Sequence, residues 1–323
     1  MTEALGWKRI AERALRQALH EADPGSEQTV ERLEELGRGA CRAVFRARID
    51  PGLVLGRERL RDLVVLVPRD EAPTSAPDDG GRARREALLL PRLARAGLPF
   101  RVPRWASAVP LEDGVVLVQE HLAGRRISFE PDAAARIGPE ALGEVLGRLH
   151  ALAPEELDLP CAGFVTQHEH GLAALAESES AAPADRGYTA GLEWLREHLL
   201  PELPARPSVP LHGDLVARNL LVDEHGSIAV LDWEFAHLGD PAFDLAIVTQ
   251  GVARPFGAAD GLERLLAAHA AAGGPAIEPE SVRFHAIALH LRWLRRALGG
   301  PPDGRRMADV ARRLEELAGA ASG

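Results

Sequence analysis

The chain predicts an α+β fold of two lobes: a small N-terminal lobe with an antiparallel sheet and a larger, mostly helical C-terminal lobe. Two observations carry this. Strand-like segments at 30–36, 41–48, 63–67 and 115–118 crowd before residue 120, and helical apolar spacing dominates after it. A length of 323 residues suits two domains of ordinary size. The expected division is 1–118 for the first lobe and 125–323 for the second, with 119–124 between them.

The elements follow in order. Trp7, Ile10, Ala11, Ala14, Leu15, Ala18 and Leu19 recur at helical spacing, so residues 4–22 form an amphipathic helix packed on its own lobe. Segments 30–36 and 41–48 flank Gly37-Arg38-Gly39 and read as strand, turn, strand; a G-x-G taken alone is an ordinary hairpin turn. The run 63–67 is a buried strand, and DEAPTSAPDDGG at 70–81 is a polar loop. RARREALLLPRLARAG then forms a helix carrying Glu86. The strand 115–118 leads into Gln119-Glu120-His121-Leu122-Ala123-Gly124.

Beyond residue 124 the segments 141–152 and 188–199 are helical, and His150 in the first reads as a packed structural histidine. Val282, Ala286, Leu289, Trp293 and Ala297 form one apolar stripe, and 307–317 closes the chain. His168 and His170 have a loose metal-like spacing but no third ligand, and read as solvated.

Composition narrows the classes. Hydrophobic residues make up 46%, normal for a globular protein. No apolar run approaches the ~18 residues of a membrane span, and the charged N-terminus has no signal-peptide core. A cytoplasmic protein is expected, with no membrane partner. Cys41 and Cys161 are too far apart in sequence to suggest a metal pair or a disulfide framework. A net charge of −10 argues against a nucleic-acid partner, whose binders concentrate positive charge. Monomer and homodimer both remain open.

The chemistry sits in LHGDLVARNLLVD. His212-Gly213-Asp214 is followed by Asn219 five positions on, and the apolar run 228–231 delivers Asp232 eighteen positions after Asp214. One loop and one strand end thus present a carboxylate, an amide and a second carboxylate. Phosphoryl transfer from ATP needs such a set: one carboxylate to accept a hydroxyl proton, and two oxygen donors to hold Mg2+ on the phosphates. Either half of the pattern would be weak by itself; the combination is specific.

These residues resemble the protein kinase-like superfamily, whose catalytic loop H-R-D-x-x-x-x-N precedes D-F-G. Gly213 in place of arginine, Asp232-Trp233-Glu234, and GDPAFDLA at 239–246 resemble the aminoglycoside phosphotransferase and choline kinase branch. The resemblance spans nearly the whole chain and implies a bilobal protein kinase-like fold. It implies Asp214 as catalytic base, Asn219 and Asp232 as magnesium ligands, and His212 and Asp244 as supports of the loop. For the nucleotide, ATP or GTP, it implies the hairpin with Gly37 and Gly39, the helix glutamate Glu86, and a hinge of Glu120, His121 and Leu122. Read from the sequence alone, Glu86 fits a solvated helix face equally well, and Asp244 fits a helix-start aspartate.

Two features refine this. Only eleven residues separate Asp232 from Asp244, too few for the activation loop that presents a peptide, so the acceptor is a small hydroxylated molecule. Aminoglycosides, macrolides, choline and sugar or amino-alcohol metabolites are acceptors in such families. Acidic segments at 177–193 and 260–263 would suit a cationic acceptor, or are simply solvated. The family's third strand also carries a basic residue that contacts phosphates, and Leu66 falls at that position. Arg69, three residues on, is expected to replace it, with Arg42 in the hairpin as the other source. Leu66 also favours the alternative of a catalytically degenerate regulator that binds a nucleotide or metabolite.

Overall fold

The structure is a computed structural model that describes residues 2–38, 42–69, 80–112, 114–128, 137–160, 208–250 and 260–298. Gly39, Cys41, Cys161, His168, His170, the acidic segment 177–193, the helix expected at 188–199 and the closing segment 307–317 lie outside the described residues, as do the side chains of Trp293 and Ala297. The chain forms two compact units. One comprises Met1–Gly124 with Asp223–Phe235, and the other Arg125–Val222 with Ala236–Gly323.

The first unit begins with helix α1 (Thr2–Ala22), followed by strands β1 (Thr29–Arg38), β2 (Arg42–Leu55) and β3 (Glu58–Pro68). Helix α2 (Gly81–Arg95) leads to β4 (Ala106–Leu111) and β5 (Gly114–Glu120). The strands make one antiparallel sheet in the order β1-β2-β3-β5-β4. Because successive strand side chains point to opposite faces, the sheet buries two sets. Ala43, Phe45, Ala47, Ile49, Leu63, Val65 and Val67 pack against Ala11, Ala14, Leu15 and Ala18 of α1. Val115, Leu117 and Leu66 face the other way, against Ala83 of α2. Strand β4 was not expected from the sequence. Its Pro110 removes a ladder donor, which is tolerated because β4 is the sheet's edge.

Strand β9 (Ile228–Val230) joins this unit, with Arg101 bridging Ala229 in parallel. It carries Asp232, Trp233 and Glu234 beyond its end.

The second unit holds β6 (Arg125–Arg126), α3 (Pro139–His150), α4 (Pro154–Leu157), β7 (Val209–Leu211), a 3-10 turn (Ala217–Asn219), β8 (Leu220–Val222), β10 (His237–Gly239), α5 (Ala242–Gln250), α6 (Gly261–Ala271) and α7 (Pro279–Leu298). Strand β7 pairs antiparallel with β10, and β6 with β8. Pro139 opens α3, where its missing N–H costs no helical bond. Helix α5 buries every residue from Ala242 to Val248, as its almost wholly apolar sequence dictates. Gly143 and Gly147 on α3 let α6 approach closely: a Cβ on Gly143 would stand 2.6 Å from the Leu265 carbonyl oxygen. Among the described residues no helix is long and apolar enough to cross a membrane.

Candidate active site

Strand β7 ends at Leu211, and Gly213 (φ +81°) makes the turn that a side-chain-bearing residue resists. The turn is held from beneath. The fully buried Asp244, in the first turn of α5, accepts the backbone N–H of His212 at 2.7 Å and of Gly213 at 2.9 Å. His150 Nε2 lies 3.4 Å from the same carboxylate, and His150 Nδ1 lies 2.9 Å from His269 Nε2. Full burial opposes ionisation of Asp244, but His150 and the backbone N–H groups hold its pKa below the usual range. Burial, with the neighbouring His150, pushes His269 down to about 3, so it is neutral.

The buried His212 ring accepts the Asp214 N–H at Nδ1 (3.2 Å), which braces the loop. Asn219 is buried beneath Asp214. Its Nδ2 donates to the Asp214 carbonyl oxygen at 2.9 Å, with a longer 3.3 Å contact to Oδ2. That orientation turns Oδ1 away from the Asp214 carbonyl and makes it the ligand atom Asn219 can offer a hard cation. Arg218, to which the sequence assigned no role, donates to Asp214 Oδ2 at 2.8 Å. Its i, i+4 spacing was visible, but in a loop that spacing does not specify an ion pair. Asp240 accepts the Ala242 N–H at 2.9 Å and contacts His285 Nε2 at 3.1 Å, which anchors the start of α5.

In the first unit Asp232 adopts φ +65°, a left-handed conformation that aspartate tolerates better than most residues and that recurs at functional sites. The next N–H, of Trp233, donates to Glu86 Oε1 at 3.1 Å. Glu86 is buried on α2 rather than solvated. Its other oxygen accepts from Arg42 Nη1 at 2.9 Å. Arg42 Nη2 reaches Glu234 at 3.1 Å, and Nη1 stands 3.9 Å from Asp232. Burial pushes the Glu86 carboxyl up, with Arg42 pulling it back. Burial likewise pushes Glu234 up to about 7, opposed by Arg42. Burial opposes the charge on Arg42 too, but the three carboxylates more than offset it and raise its pKa.

The expectation for Arg69 is corrected here. Its guanidinium lies over the Trp7 ring, 5.3 Å from the centroid, on the face of the sheet that packs against α1. Glu86 and Leu66 are on the opposite face. The alternation of strand side chains sends Arg69 the wrong way, and the basic partner of Glu86 is Arg42. Gly37 lies at the end of β1 with φ +158°, at a bulge in the β1–β2 pairing.

The hinge segment is also more occupied than expected. The Glu120 N–H donates to the Trp105 carbonyl and the His121 N–H to the Asp62 carbonyl, both at 3.0 Å. The Glu120 carboxylate is held by Arg104 Nη2 at 2.7 Å and by the Arg104 N–H at 2.7 Å. Of the expected acidic pocket, Asp260 and Glu263 are exposed at the start of α6, and Asp260 lies 3.7 Å from Arg264. Among the described residues no group of three or more His, Cys, Asp or Glu is arranged to hold a metal on its own. Mg2+ is characteristically held by one or two protein oxygens with substrate phosphates completing its shell, and Asn219 and Asp232 fit that donor type.

The fold and this loop belong to the protein kinase-like class, in the bilobal small-molecule branch. The profile of the Phosphotransferase enzyme family matches residues 53–285, and the chain belongs to that family. It is a small-molecule kinase with a hydroxyl acceptor. Solved structures of the same fold include macrolide 2'-phosphotransferase MphH from Brachybacterium faecium, at 24% identity and TM-score 0.61, covering 96% of each chain. The GDP and kanamycin complex of APH(2")-IIia aligns at 14% identity and TM-score 0.65, over 95% of this chain and 98% of that one. A choline/ethanolamine kinase family protein from Mesorhizobium loti aligns at 22% identity and TM-score 0.59, over 88% and 87%. Comparison with curated protein sequences returns no match.

Proposed function

We propose that this kinase moves the γ-phosphoryl group of ATP or GTP to a hydroxyl of a small molecule, either an aminoglycoside-type antibiotic or a hydroxylated metabolite. The observation that carries it is the loop of Asp214, pinned by Asp244 and cross-braced by Asn219. Asp214 accepts the proton of the acceptor hydroxyl while its oxygen attacks the γ-phosphorus. The bond to the β–γ bridging oxygen breaks, and a nucleoside diphosphate leaves. Asn219 and Asp232 are the ligands for Mg2+, which when bound neutralises phosphate charge that develops during transfer. Positioning and electrostatics, not covalent chemistry, account for the rate.

Residues 1–118 form the nucleotide-binding lobe and 125–323 the catalytic and acceptor-binding lobe, except that 223–235 belongs to the first compact unit; 119–124 is the hinge. With two hinge N–H groups already donated inside the sheet, base recognition falls to Leu122 and to carbonyl oxygens. The GDP in the APH(2")-IIia complex supports keeping GTP beside ATP as donor. The degenerate-regulator alternative rests on Leu66; a guanidinium, Arg42, paired with the helix glutamate supports the enzyme reading over it.

The experiment is a magnesium-dependent thermal shift with ATP and GTP, paired with a screen for nucleoside diphosphate release across hydroxylated acceptors. Turnover with at least one acceptor is expected. Nucleotide binding with no product across a broad panel would overturn the enzyme assignment in favour of the regulator. Within the panel, protection of a sensitive bacterium against an aminoglycoside separates the antibiotic class from the metabolite class.

A further inference from the structure

We infer that Arg42, on the second strand, is the cation of the nucleotide site and contacts the phosphates in place of the charge that Leu66 on the third strand lacks. This rests on the kinase reading above. The chain contains a single lysine, Lys8, on α1, so every other permanently charged basic side chain is an arginine. Strand pairing puts Arg42 where such a charge belongs. Val44 pairs with Leu66 and Arg42 with Pro68, and paired residues of an antiparallel sheet share a face. Arg42 and Val44 therefore stand on the α2 side, while Ala43 and Phe45 are buried on the α1 side. One strand over and one pleat along from Leu66, the guanidinium reaches Glu86.

Its surroundings distinguish it from the other arginines of the unit. Arg46 and Arg48 serve Asp62, and Arg69 lies over Trp7. Arg82 lies over Phe235, 4.8 Å from the ring centroid. Arg42 alone among them is ion-paired to the helix glutamate, and it stands 3.9 Å from the carboxylate proposed to hold magnesium. It is the first residue of β2. A guanidinium carries five N–H donors in a planar fork, so bonds to Glu86 and Glu234 leave others for a phosphate oxygen. The carboxylates orient the fork, as the helix glutamate orients a lysine in the more usual arrangement.

The test measures Mg-ATP dissociation constants and melting temperatures for the wild type, Arg42→Lys, Arg42→Met, Glu86→Gln and Arg42→Met/Leu66→Lys. Arg42→Met is expected to weaken nucleotide binding about ten-fold or more, the loss of one charge-assisted hydrogen bond. Arg42→Lys retains most of the affinity. Glu86→Gln loses less than Arg42→Met, because the cation stays. Moving the charge back to the third strand in Arg42→Met/Leu66→Lys recovers affinity, whereas with a purely structural role the folded Arg42→Met variant would already bind nucleotide as the wild type does. Should Arg42→Met fail to fold, Arg42→Met/Glu86→Gln removes both buried charges and takes its place. A folded variant of either kind with wild-type nucleotide affinity overturns the inference and leaves the kinase reading standing. A wild type that binds no Mg-nucleotide sinks the kinase reading itself, and the inference with it.

Discussion

Asp244 accepts a 2.7 Å hydrogen bond from the backbone N–H of His212, a residue 32 positions earlier in the chain, and a second bond from Gly213. A buried carboxylate thus ties the start of α5 to the turn that presents Asp214. The bonds are charge-assisted and shielded from water, so they constrain the turn more than exposed ones would.

Asp244→Ala leaves two backbone N–H groups, one buried and one part-buried, and His150 without their acceptor. The expected loss is about 3 kcal/mol of stability, from the lost bonds and the unsatisfied donors, with activity falling further than occupancy of the fold explains. Asp244→Asn keeps one acceptor oxygen but sets an NH2 against other donors, and should lie between. Urea denaturation and kcat on the same preparations check this; wild-type stability in the alanine variant would reject the role.

Asp214→Asn should reduce kcat by roughly 10²–10⁴, the range for losing a general base. Mg-nucleotide affinity and melting temperature should hold. Asp232→Ala should instead weaken Mg-nucleotide binding as well as rate. Near-wild-type turnover in the Asp214 variant is incompatible with its assignment as base.

Gly147→Ala should destabilise the protein by about 1–3 kcal/mol through overpacking, although alanine is the better helix former by about 1 kcal/mol. The new methyl would stand 2.7 Å from the Ala272 Cβ, and α6 must shift to admit it. Gly6 in α1 is the control, since a Cβ there meets nothing within 4 Å. Gly6→Ala should be neutral or stabilising. Equal shifts in the two melting temperatures would contradict the packing account.

His269 predicts an acid limb. Its folded pKa is depressed to about 3 from the ordinary 6.5, so the unfolded chain binds its proton first as pH falls. The stability it contributes is whole above pH 6.5 and is lost progressively from there toward pH 3. His121, also depressed by burial and by Arg46, adds to the same limb. His269→Gln should flatten the fall of melting temperature between pH 6.5 and pH 4, and an unchanged slope would exclude His269 as a contributor.

What the sequence determined by itself is what short-range chemistry controls. Helix α1 shows its apolar stripe, α5 its continuous apolar run, and the hairpin its glycines, because propensity and periodicity act within a few residues. The loop from His212 to Asn219 was legible for the same reason: a turn, a carboxylate and an amide five residues apart brace one another through their own backbone. Edge strand β4 was hidden because its proline contradicts strand propensity, and only its place at the sheet border makes that harmless. The tertiary structure alone decided which arginine pairs with Glu86. Arg42 and Glu86 lie 44 residues apart, and strand register with the alternation of faces brings one guanidinium to α2 and sends Arg69 to Trp7. The histidine pair His150 and His269, 119 residues apart, was settled likewise by helices α3 and α6 meeting across two glycines. Contacts of that kind depend on the whole packed core, so no local window of sequence encodes them.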